Sequence, residues 1–298
     1  MANYKLKEYM NKPERLAPGH RMCAGCGATI GVRAVLRALK EKDQAVIGNA
    51  TGCLEVSSFM YPYSAWEDSY IHNAFENAGA TMAGVETAYK VLKKKGKIPE
   101  DVNYKFITFG GDGGTYDIGF QSLSGAMERG HDMVYVCYDN GAYMNTGIQR
   151  SSATPMYADT TTTPVGKQSD GKMQNRKDLA SIIADHDVPY VGQTTFTSDF
   201  KDLHLKAEKA IYTKGACFLN IMTPCPRGWR YDPAASFYVL RGMRRQTSSP
   251  RLPAFFRMAE TGGRFSLLLF FRNRTSVAHH RKGQRKMILP AFGKLICI

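Results

Sequence analysis

The sequence predicts an α/β fold built on a doubly wound, mostly parallel sheet. Short apolar runs alternate along the chain with segments of helical periodicity, which favours parallel strands joined by helical crossovers. The chain has 298 residues, of which 43% are hydrophobic, so it is long enough to bury a full core. Polar and glycine-rich turns follow several of the strands, which is where open α/β sheets bind ligands.

The elements follow one another in this alternating order. Helical spacing of apolar residues predicts helices over 27–40, 74–95, about 118–129, 177–185 and about 199–213. Short apolar runs predict strands over 45–48, 105–109, 133–138, 190–192 and 216–223. The small residues near the start of segment 74–95 would let that helix pack closely against a neighbour.

A long polar segment, residues 144–175, interrupts the alternation and is rich in Thr, Ser and Gly. A stretch of this length without secondary structure is unusual in a compact domain and usually marks a functional loop. Because it directly follows a predicted strand end, we expect it to cover a ligand there.

The net charge of +14 is unevenly distributed. Residues 1–233 contain 27 Lys and Arg against 25 Asp and Glu, whereas residues 234–298 contain 13 against one. We therefore predict a main domain over 1–233 and an irregular basic tail over 234–298. No apolar run approaches 18 residues and the N-terminus is polar, so we expect a cytoplasmic protein with no membrane span and no secretion signal.

Gly111-Asp112-Gly113 follows the strand predicted at 105–109, and Asn140 follows the strand predicted at 133–138. The glycines would let backbone N–H groups approach a phosphate, while Asp112 and Asn140 supply the oxygen ligands that Mg²⁺ prefers. Gly-Asp-Gly alone is equally typical of a tight turn in which Asp112 caps the next helix. With 26 residues between Gly113 and Asn140, the pattern resembles the thiamine-diphosphate signature.

Four of the seven cysteines lie in turns next to predicted strands or helices. Cys23 and Cys26 form a C-x-x-C pair before a helix, while Cys53 and Cys225 each follow a strand. Four such thiolates could hold a tetrahedral zinc or a 4Fe-4S cluster. Buried, unliganded thiols remain an equal alternative for Cys53 and Cys225. A disulfide framework is not expected in a chain of this size without a secretion signal.

Six motifs in one order make a family resemblance specific. They occupy residues 19–27, 49–53, 72–77, 110–114, 143–147 and 223–229. From about residue 15 to Pro233 the chain resembles the beta subunits of pyruvate:ferredoxin oxidoreductase, in the 2-oxoacid:ferredoxin oxidoreductase family. The resemblance implies a sheet of the thiamine-diphosphate-binding type.

The resemblance also implies roles for individual residues. Cys23, Cys26, Cys53 and Cys225 match the ligands of a 4Fe-4S cluster. Asp112 and Asn140 match side-chain ligands of Mg²⁺, and Ala142 matches a backbone carbonyl ligand. Gly111, Gly113 and Thr146 match diphosphate contacts, Thr51 and Gly52 lie in a loop that approaches thiamine, and Asn145 matches a polar residue near the thiazolium and the substrate.

The implied activity is oxidative decarboxylation of pyruvate or a related 2-oxoacid with coenzyme A, with electrons passing to ferredoxin. The resemblance places the glutamate that activates thiamine on another subunit, so we expect alpha, gamma and delta partners. Two alternatives stay open from the residues alone. They are a non-oxidative thiamine-diphosphate decarboxylase or synthase with structural cysteines, and a zinc-stabilised protein whose basic tail binds nucleic acid.

The basic tail departs from the family pattern. It contains no Asp and a single Glu, and its arginines outnumber its lysines by ten to three. A nucleic-acid-binding patch is one interpretation. Because the composition changes where the resemblance ends, we favour a shifted reading frame, and we do not expect nucleic acid as a partner.

Overall fold

The computed structural model describes residues 5–196 and 200–239. Within them, a six-stranded sheet has the order β4-β1-β5-β6-β8-β7, and every neighbouring pair of its strands is parallel. Its strands are β1 (Gln44–Ala50), β4 (Ser69–Asn73), β5 (Tyr104–Gly111), β6 (Val134–Asp139), β7 (Tyr190–Thr195) and β8 (Cys217–Met222). A separate antiparallel hairpin pairs β2 (Phe59–Met60) with β3 (Tyr63–Ser64). The predicted parallel α/β fold is confirmed.

Helices cover both faces of the sheet, so it is doubly wound as predicted. The helices are α1 (Leu6–Asn11), α2 (Gly27–Leu36), α3 (Cys53–Ser58), α4 (Ala78–Lys94), α5 (Phe120–Glu128), α6 (Leu179–Ala184), α7 (Phe200–Tyr212) and α8 (Pro226–Trp229). One core joins alternate strand residues to α2 and α7. A second core joins the other strand residues to α4, α5 and α6.

Helix α4 packs closely on α5, as its small residues predict. A Cβ atom added at Gly79 would lie 3.1 Å from the Ser122 carbonyl oxygen, so a larger residue there would push the two helices apart. Gly84 on the same helix has nothing within 4 Å of such a Cβ and faces open space.

Several predicted boundaries need correction. Strand β5 continues through Gly111, so Gly110 and Gly111 belong to the strand and not to the turn after it. A π-helix, Gly113–Ile118, follows Asp112 directly and precedes α5, where the sequence predicts a single helix from about 118. Helix α2 ends at Leu36, four residues before its predicted end, and α4 begins at Ala78, after Asn77.

Strand β4 and helix α3 are among the elements that were absent from the sequence prediction, as are α1, α8 and the β2–β3 hairpin. Strand β4 is an edge strand with polar, partly exposed residues, so it lacks the apolar run that marks an interior strand. Helix α3 has only six residues and begins at Cys53, in a segment interpreted as a turn.

The order of strands creates a switch point between β1 and β5. From β1 the chain passes to β4 at the sheet edge, and from β5 it passes to β6 on the other side. The turns after β1 and β5 therefore diverge and leave a crevice at the carboxyl ends of these strands, which is the usual ligand position in such sheets. In the described ranges, no helix is long and apolar enough to cross a membrane.

The basic tail falls outside the described residues from residue 240 onwards. Residues just beyond Pro233 still contact the main domain: Ser236 donates a hydrogen bond to the Gly25 carbonyl oxygen at 2.6 Å, and Phe237 packs edge-on against Phe196. The division of the chain at residue 233, and the origin of the tail, stay predictions.

Candidate functional site

An open crevice of about 320 Å³ lies at the switch point. Its walls come from the turns after β1, β5 and β6 and from the start of segment 144–175. The lining includes every residue predicted for the thiamine and magnesium sites, namely Thr51, Gly52, Cys53, Gly111, Asp112, Gly113, Asn140, Ala142, Asn145 and Thr146. The structure therefore brings these ten residues together, although they come from three separate stretches of chain.

Asp112 is fully buried at the base of the crevice and does not act as a helix cap. It directly precedes the π-helix, but its side chain accepts no capping hydrogen bond there. Its carboxylate accepts hydrogen bonds from the Asn140 backbone N–H at 3.3 Å and from the Ser151 hydroxyl at 2.5 Å. Burial, and then the charge of Asp139, raise the pKa of Asp112, so this carboxyl favours its neutral form unless a cation lies beside it.

The side-chain amide of Asn140 faces two oxygens. One of its terminal atoms lies 3.0 Å from Asp112 Oδ1 and 2.8 Å from the Ala142 carbonyl oxygen. If that atom is nitrogen, it donates to both oxygens. If it is oxygen, three acceptors face one another and require a cation between them. The donor set suits Mg²⁺, which prefers carboxylate, amide and carbonyl oxygens.

Glycines form the floor of the crevice beside this oxygen cluster. A Cβ added at Gly113 would lie 2.3 Å from the ring of Tyr143, so only glycine fits there. The Tyr143 hydroxyl donates to the Gly113 carbonyl oxygen at 2.8 Å and holds the ring in place. Gly113 lines the crevice and begins the π-helix, so the first N–H groups of that helix are candidates for contact with a phosphate.

Segment 144–175 packs against the site, and its covering of a ligand stays a prediction. Its first residues line the crevice, and hydrogen bonds to the domain anchor the rest. Ser152 donates its backbone N–H to Asp117 at 2.9 Å, and Thr154 donates to the Gly141 carbonyl oxygen at 2.6 Å. The buried ammonium of Lys172 donates to the Ser152 and Thr154 carbonyl oxygens at 3.2 and 2.5 Å. These bonds link the last residues of the segment to its first half.

A buried ion pair supports the oxygen cluster from behind. Arg176 donates to the carboxylate of Asp139, which also accepts hydrogen bonds from the Tyr116 hydroxyl and the Asn220 amide. The other oxygen of Asp139 accepts the Gly141 N–H at 3.1 Å. Asp139 thus fixes the turn that carries Asn140 and Ala142.

The four predicted cluster cysteines meet at the neighbouring corner of the crevice. Cys26 precedes the first residue of α2, Cys53 is the first residue of α3, and Cys225 is the N-cap of α8. The Gly27 N–H donates to the Pro224 carbonyl oxygen at 3.1 Å, which joins the start of α2 to the Cys225 turn. Burial, and then the charges of Cys225, Cys26 and Cys23, raise the pKa of Cys53 to about 12.

The remaining thiols behave as the sequence predicts. The described cysteines form no disulfide, and Cys137 and Cys217 are buried in the core. Across 5–196 and 200–239, no three His, Cys, Asp or Glu side chains lie close enough together to hold a single metal ion.

Comparison with known proteins agrees with this geometry. Residues 47–221 match the family described as thiamine pyrophosphate enzyme, C-terminal TPP binding domain. Pyruvate synthase subunit PorB from Thermotoga maritima is 50% identical over 261 residues, covering 82% of this chain and 80% of its relative. The same subunit from Methanothermobacter thermautotrophicus is 53% identical over 221 residues, covering 74% and 73%.

The chain belongs to the 2-oxoacid:ferredoxin oxidoreductase family, as a beta subunit. A further relative, ketoisovalerate oxidoreductase subunit VorB from Pyrococcus furiosus, is 40% identical and covers 80% of this chain and 75% of the relative. A solved 2-oxoglutarate:ferredoxin oxidoreductase from Magnetococcus marinus aligns with a TM-score of 0.57 at 21% identity, covering 81% of both chains. That likeness shows a shared fold.

Sequence reasoning missed the residues that position the ligands of this beta subunit. Ser151, Asp139 and Arg176 are buried behind the crevice. Ser151 comes from segment 144–175, which was interpreted as a covering loop, and Arg176 directly follows that segment. Their partners lie 39 and 37 residues away along the chain, so no local pattern connects them. Asp139 ends a buried strand and directly precedes Asn140, and this position is the one sequence feature that could have predicted a second buried carboxylate.

Proposed function

We propose that this beta subunit binds thiamine diphosphate with Mg²⁺ and a 4Fe-4S cluster, and that its complex oxidatively decarboxylates pyruvate with coenzyme A and passes electrons to ferredoxin. The observation that carries the proposal is the meeting of the Asp112 carboxylate, the Asn140 side-chain amide and the Ala142 carbonyl beside Gly113 at one strand edge. Pyruvate is favoured because the pyruvate synthase subunits are about 50% identical to this chain and the ketoisovalerate subunit 40%.

Within the crevice, each residue has a distinct task. Asp112, Asn140 and the Ala142 carbonyl would hold Mg²⁺, while Gly111, Gly113 and Thr146 would contact the diphosphate. Ser151 holds the side chain of Asp112 through its hydrogen bond, and Asp139 holds the turn that carries Asn140 and Ala142. When bound, thiamine diphosphate supplies the electron sink for loss of CO₂. Asn145 is exposed and lines the crevice, where it would contact the substrate side of the cofactor.

The cysteine corner supports electron transfer next to this crevice. Cys53 lies in both sites, since it lines the crevice and interacts electrostatically with Cys23, Cys26 and Cys225. The Gly228 N–H donates to Cys225 Sγ at 3.3 Å, and such hydrogen bonds stabilise a thiolate that ligates iron. A cluster held by these thiols would lie beside the thiamine site.

The partners follow from the family resemblance, which implies that the carboxylic acid that activates thiamine belongs to another subunit. Among the lining residues that the structure describes, Asp112 is the only acid, and it is engaged with Asn140 and Ser151, which is consistent with that implication. We therefore propose an alpha subunit across the crevice, with gamma and delta subunits completing the path to ferredoxin.

The proposal is tested on the full complex, co-expressed and purified without oxygen. We expect about four irons in each copy of this chain, one bound thiamine diphosphate, and ferredoxin reduction that requires both pyruvate and coenzyme A. Faster reduction with 2-ketoisovalerate than with pyruvate would overturn the substrate assignment. A colourless complex that releases CO₂ without reducing ferredoxin would instead support the non-oxidative alternative.

A further inference from the structure

One buried hydroxyl between the two cofactor sites has no assigned task. On the basis of the proposed function, we propose that the Tyr138 hydroxyl donates a hydrogen bond to a sulfur at the Cys53 corner of the iron–sulfur site and so raises its reduction potential. Tyr138 would then be a positioning residue that acts on electron transfer, and not one that touches the substrate.

The position of Tyr138 follows from the alternation of β6. Its side chain faces the core that contains α2 and α7, the same side of the sheet on which Cys26 precedes α2. Its neighbours on the strand, Tyr135 and Cys137, face the opposite core. Tyr138 therefore lies on the side of the cysteines and not on the side of α4 and α5.

The hydroxyl lies directly beneath the turn that carries Cys53. A Cβ added at Gly52 would come within 2.6 Å of Tyr138 Oη, and one added at Gly111 would lie 3.4 Å from it. The hydroxyl thus occupies the wall between the two diverging turns. Any side chain at Gly52 would displace the Tyr138 hydroxyl, so packing against this hydroxyl requires glycine at position 52.

The hydroxyl is buried without an acceptor for its proton. Tyr138 is 2% exposed, and although the Leu54 backbone N–H faces its Oη, the hydroxyl donates to no group within the described part of the chain. By contrast, the Tyr135 hydroxyl lies 3.3 Å from Thr115 Oγ1 and the Tyr143 hydroxyl donates to Gly113. Leaving a buried hydroxyl proton without an acceptor is destabilising, so this position favours an acceptor that belongs to the loaded site.

The acceptor is a sulfur because of what surrounds the hydroxyl. A tyrosine hydroxyl keeps its proton at neutral pH, so it can act as a donor to the Cys53 corner, which begins one residue after Gly52. Thiolate and sulfide sulfurs of a cluster carry negative charge and accept such protons. A hydrogen bond to them stabilises the more negative, reduced cluster, which raises the potential.

The test replaces the hydroxyl and keeps the ring. In the full-length chain with its reconstituted cluster, Tyr138→Phe should shift the potential to more negative values. We expect about a tenfold change in the ratio of reduced to oxidised cluster, or ~59 mV for one electron. An exchangeable proton coupled to the reduced cluster, measured by electron–nuclear double resonance, should be lost in the same variant.

Tyr135→Phe is the matched control, because it removes a buried hydroxyl from the same strand on the opposite face. It should leave the potential unchanged. Wild-type protein without iron would contradict the proposed function itself. Iron at the wild-type level with an unchanged potential in Tyr138→Phe would overturn only the present inference, as would weaker thiamine diphosphate binding with an unchanged potential.

If Tyr138→Phe does not retain its cluster, 2,3-difluorotyrosine at position 138 provides the second variant. It keeps the ring and the hydroxyl but makes the hydroxyl a stronger donor. The potential should then rise above that of the wild type. No rise would overturn the proposal.

Discussion

At the scale of single residues, Asp112 has the most specific role. Asp112→Ala should weaken thiamine diphosphate binding in the presence of Mg²⁺ by about 2 kcal/mol or more, the usual cost of removing one partner of a buried charged pair. Isothermal titration calorimetry measures this change, and iron analysis should give the wild-type iron content.

The control for this variant is Asp101→Ala, which removes an exposed carboxylate in the turn before β5, at the opposite end of that strand from the crevice. It should bind the cofactor as the wild type does. Loss of both iron and thiamine diphosphate in Asp112→Ala would show that the residue is needed for folding, and would contradict its role as a metal ligand.

Gly113 offers a second test at this scale. Gly113→Ala places a Cβ 2.3 Å from the Tyr143 ring, so the ring must move and its hydrogen bond to the Gly113 carbonyl is lost. We expect a loss of about 1–3 kcal/mol in the free energy of unfolding, measured by urea denaturation, together with weaker cofactor binding.

Gly84→Ala is the matched substitution, since its Cβ meets nothing within 4 Å in the middle of α4. It should stabilise the protein by about 0.5–1 kcal/mol, because alanine loses less chain entropy in a helix. Equal destabilisation by both alanines would show that the crevice floor tolerates a side chain.

At the scale of elements, the Asp139–Arg176 pair joins the start of α6 to the end of β6. Arg176→Met leaves a buried carboxylate uncompensated, so the free energy of unfolding should fall by about 3–5 kcal/mol. Chemical denaturation measures the loss. The partly exposed Arg33, which pairs with Glu14, is the control, and Arg33→Met should cost about 1 kcal/mol or less.

The elements that the sequence predicts correctly are those with a buried apolar run. Strands β5, β6 and β8 each carry such a run, and both β6 and β8 are buried along their whole length. Strand β4 could not be recognised, because Ser69, Tyr70 and His72 are partly exposed at the sheet edge. Only pairing with β1 makes this segment a strand.

The same distinction applies to the site. Asp112 and Asn140 could be predicted because each directly follows a strand, and parallel strands end at one edge. Ser151 and Arg176 could not, since long-range folding of the polar segment brings them to Asp112 and Asp139. Tyr138 was interpreted only as a strand residue, because sequence does not show which buried hydroxyl lacks an acceptor.

At the scale of the whole molecule, His204 links stability to pH. It lies on α7 and stacks on Tyr9 of α1 with ring centroids 4.5 Å apart. Burial, and then the charges of Arg37 and Lys12, lower its pKa to about 4. Since the unfolded chain binds this proton near pH 6.5 and the folded chain does not, stability should fall as the pH drops from 6.5 towards 4.

The slope in this window should reach at most about 1.4 kcal/mol per pH unit for one proton. His204→Gln should flatten it, as measured by urea unfolding at a series of pH values. His131, which pairs with Glu86, gives the comparison variant His131→Gln. An unchanged slope in His204→Gln would show that another group takes up the proton.

The parallel direction of the strands has a practical consequence for attaching the protein to a surface. All the turns that carry functional groups lie at the carboxyl edge, whereas Gly96, Gly130 and Gly215 lie in the turns that enter β5, β6 and β8 at the other edge. Gly96 and Gly130 have nothing within 4 Å of an added Cβ. A tether to an electrode surface at either glycine would orient the crevice and its cysteines away from the support, towards the solution.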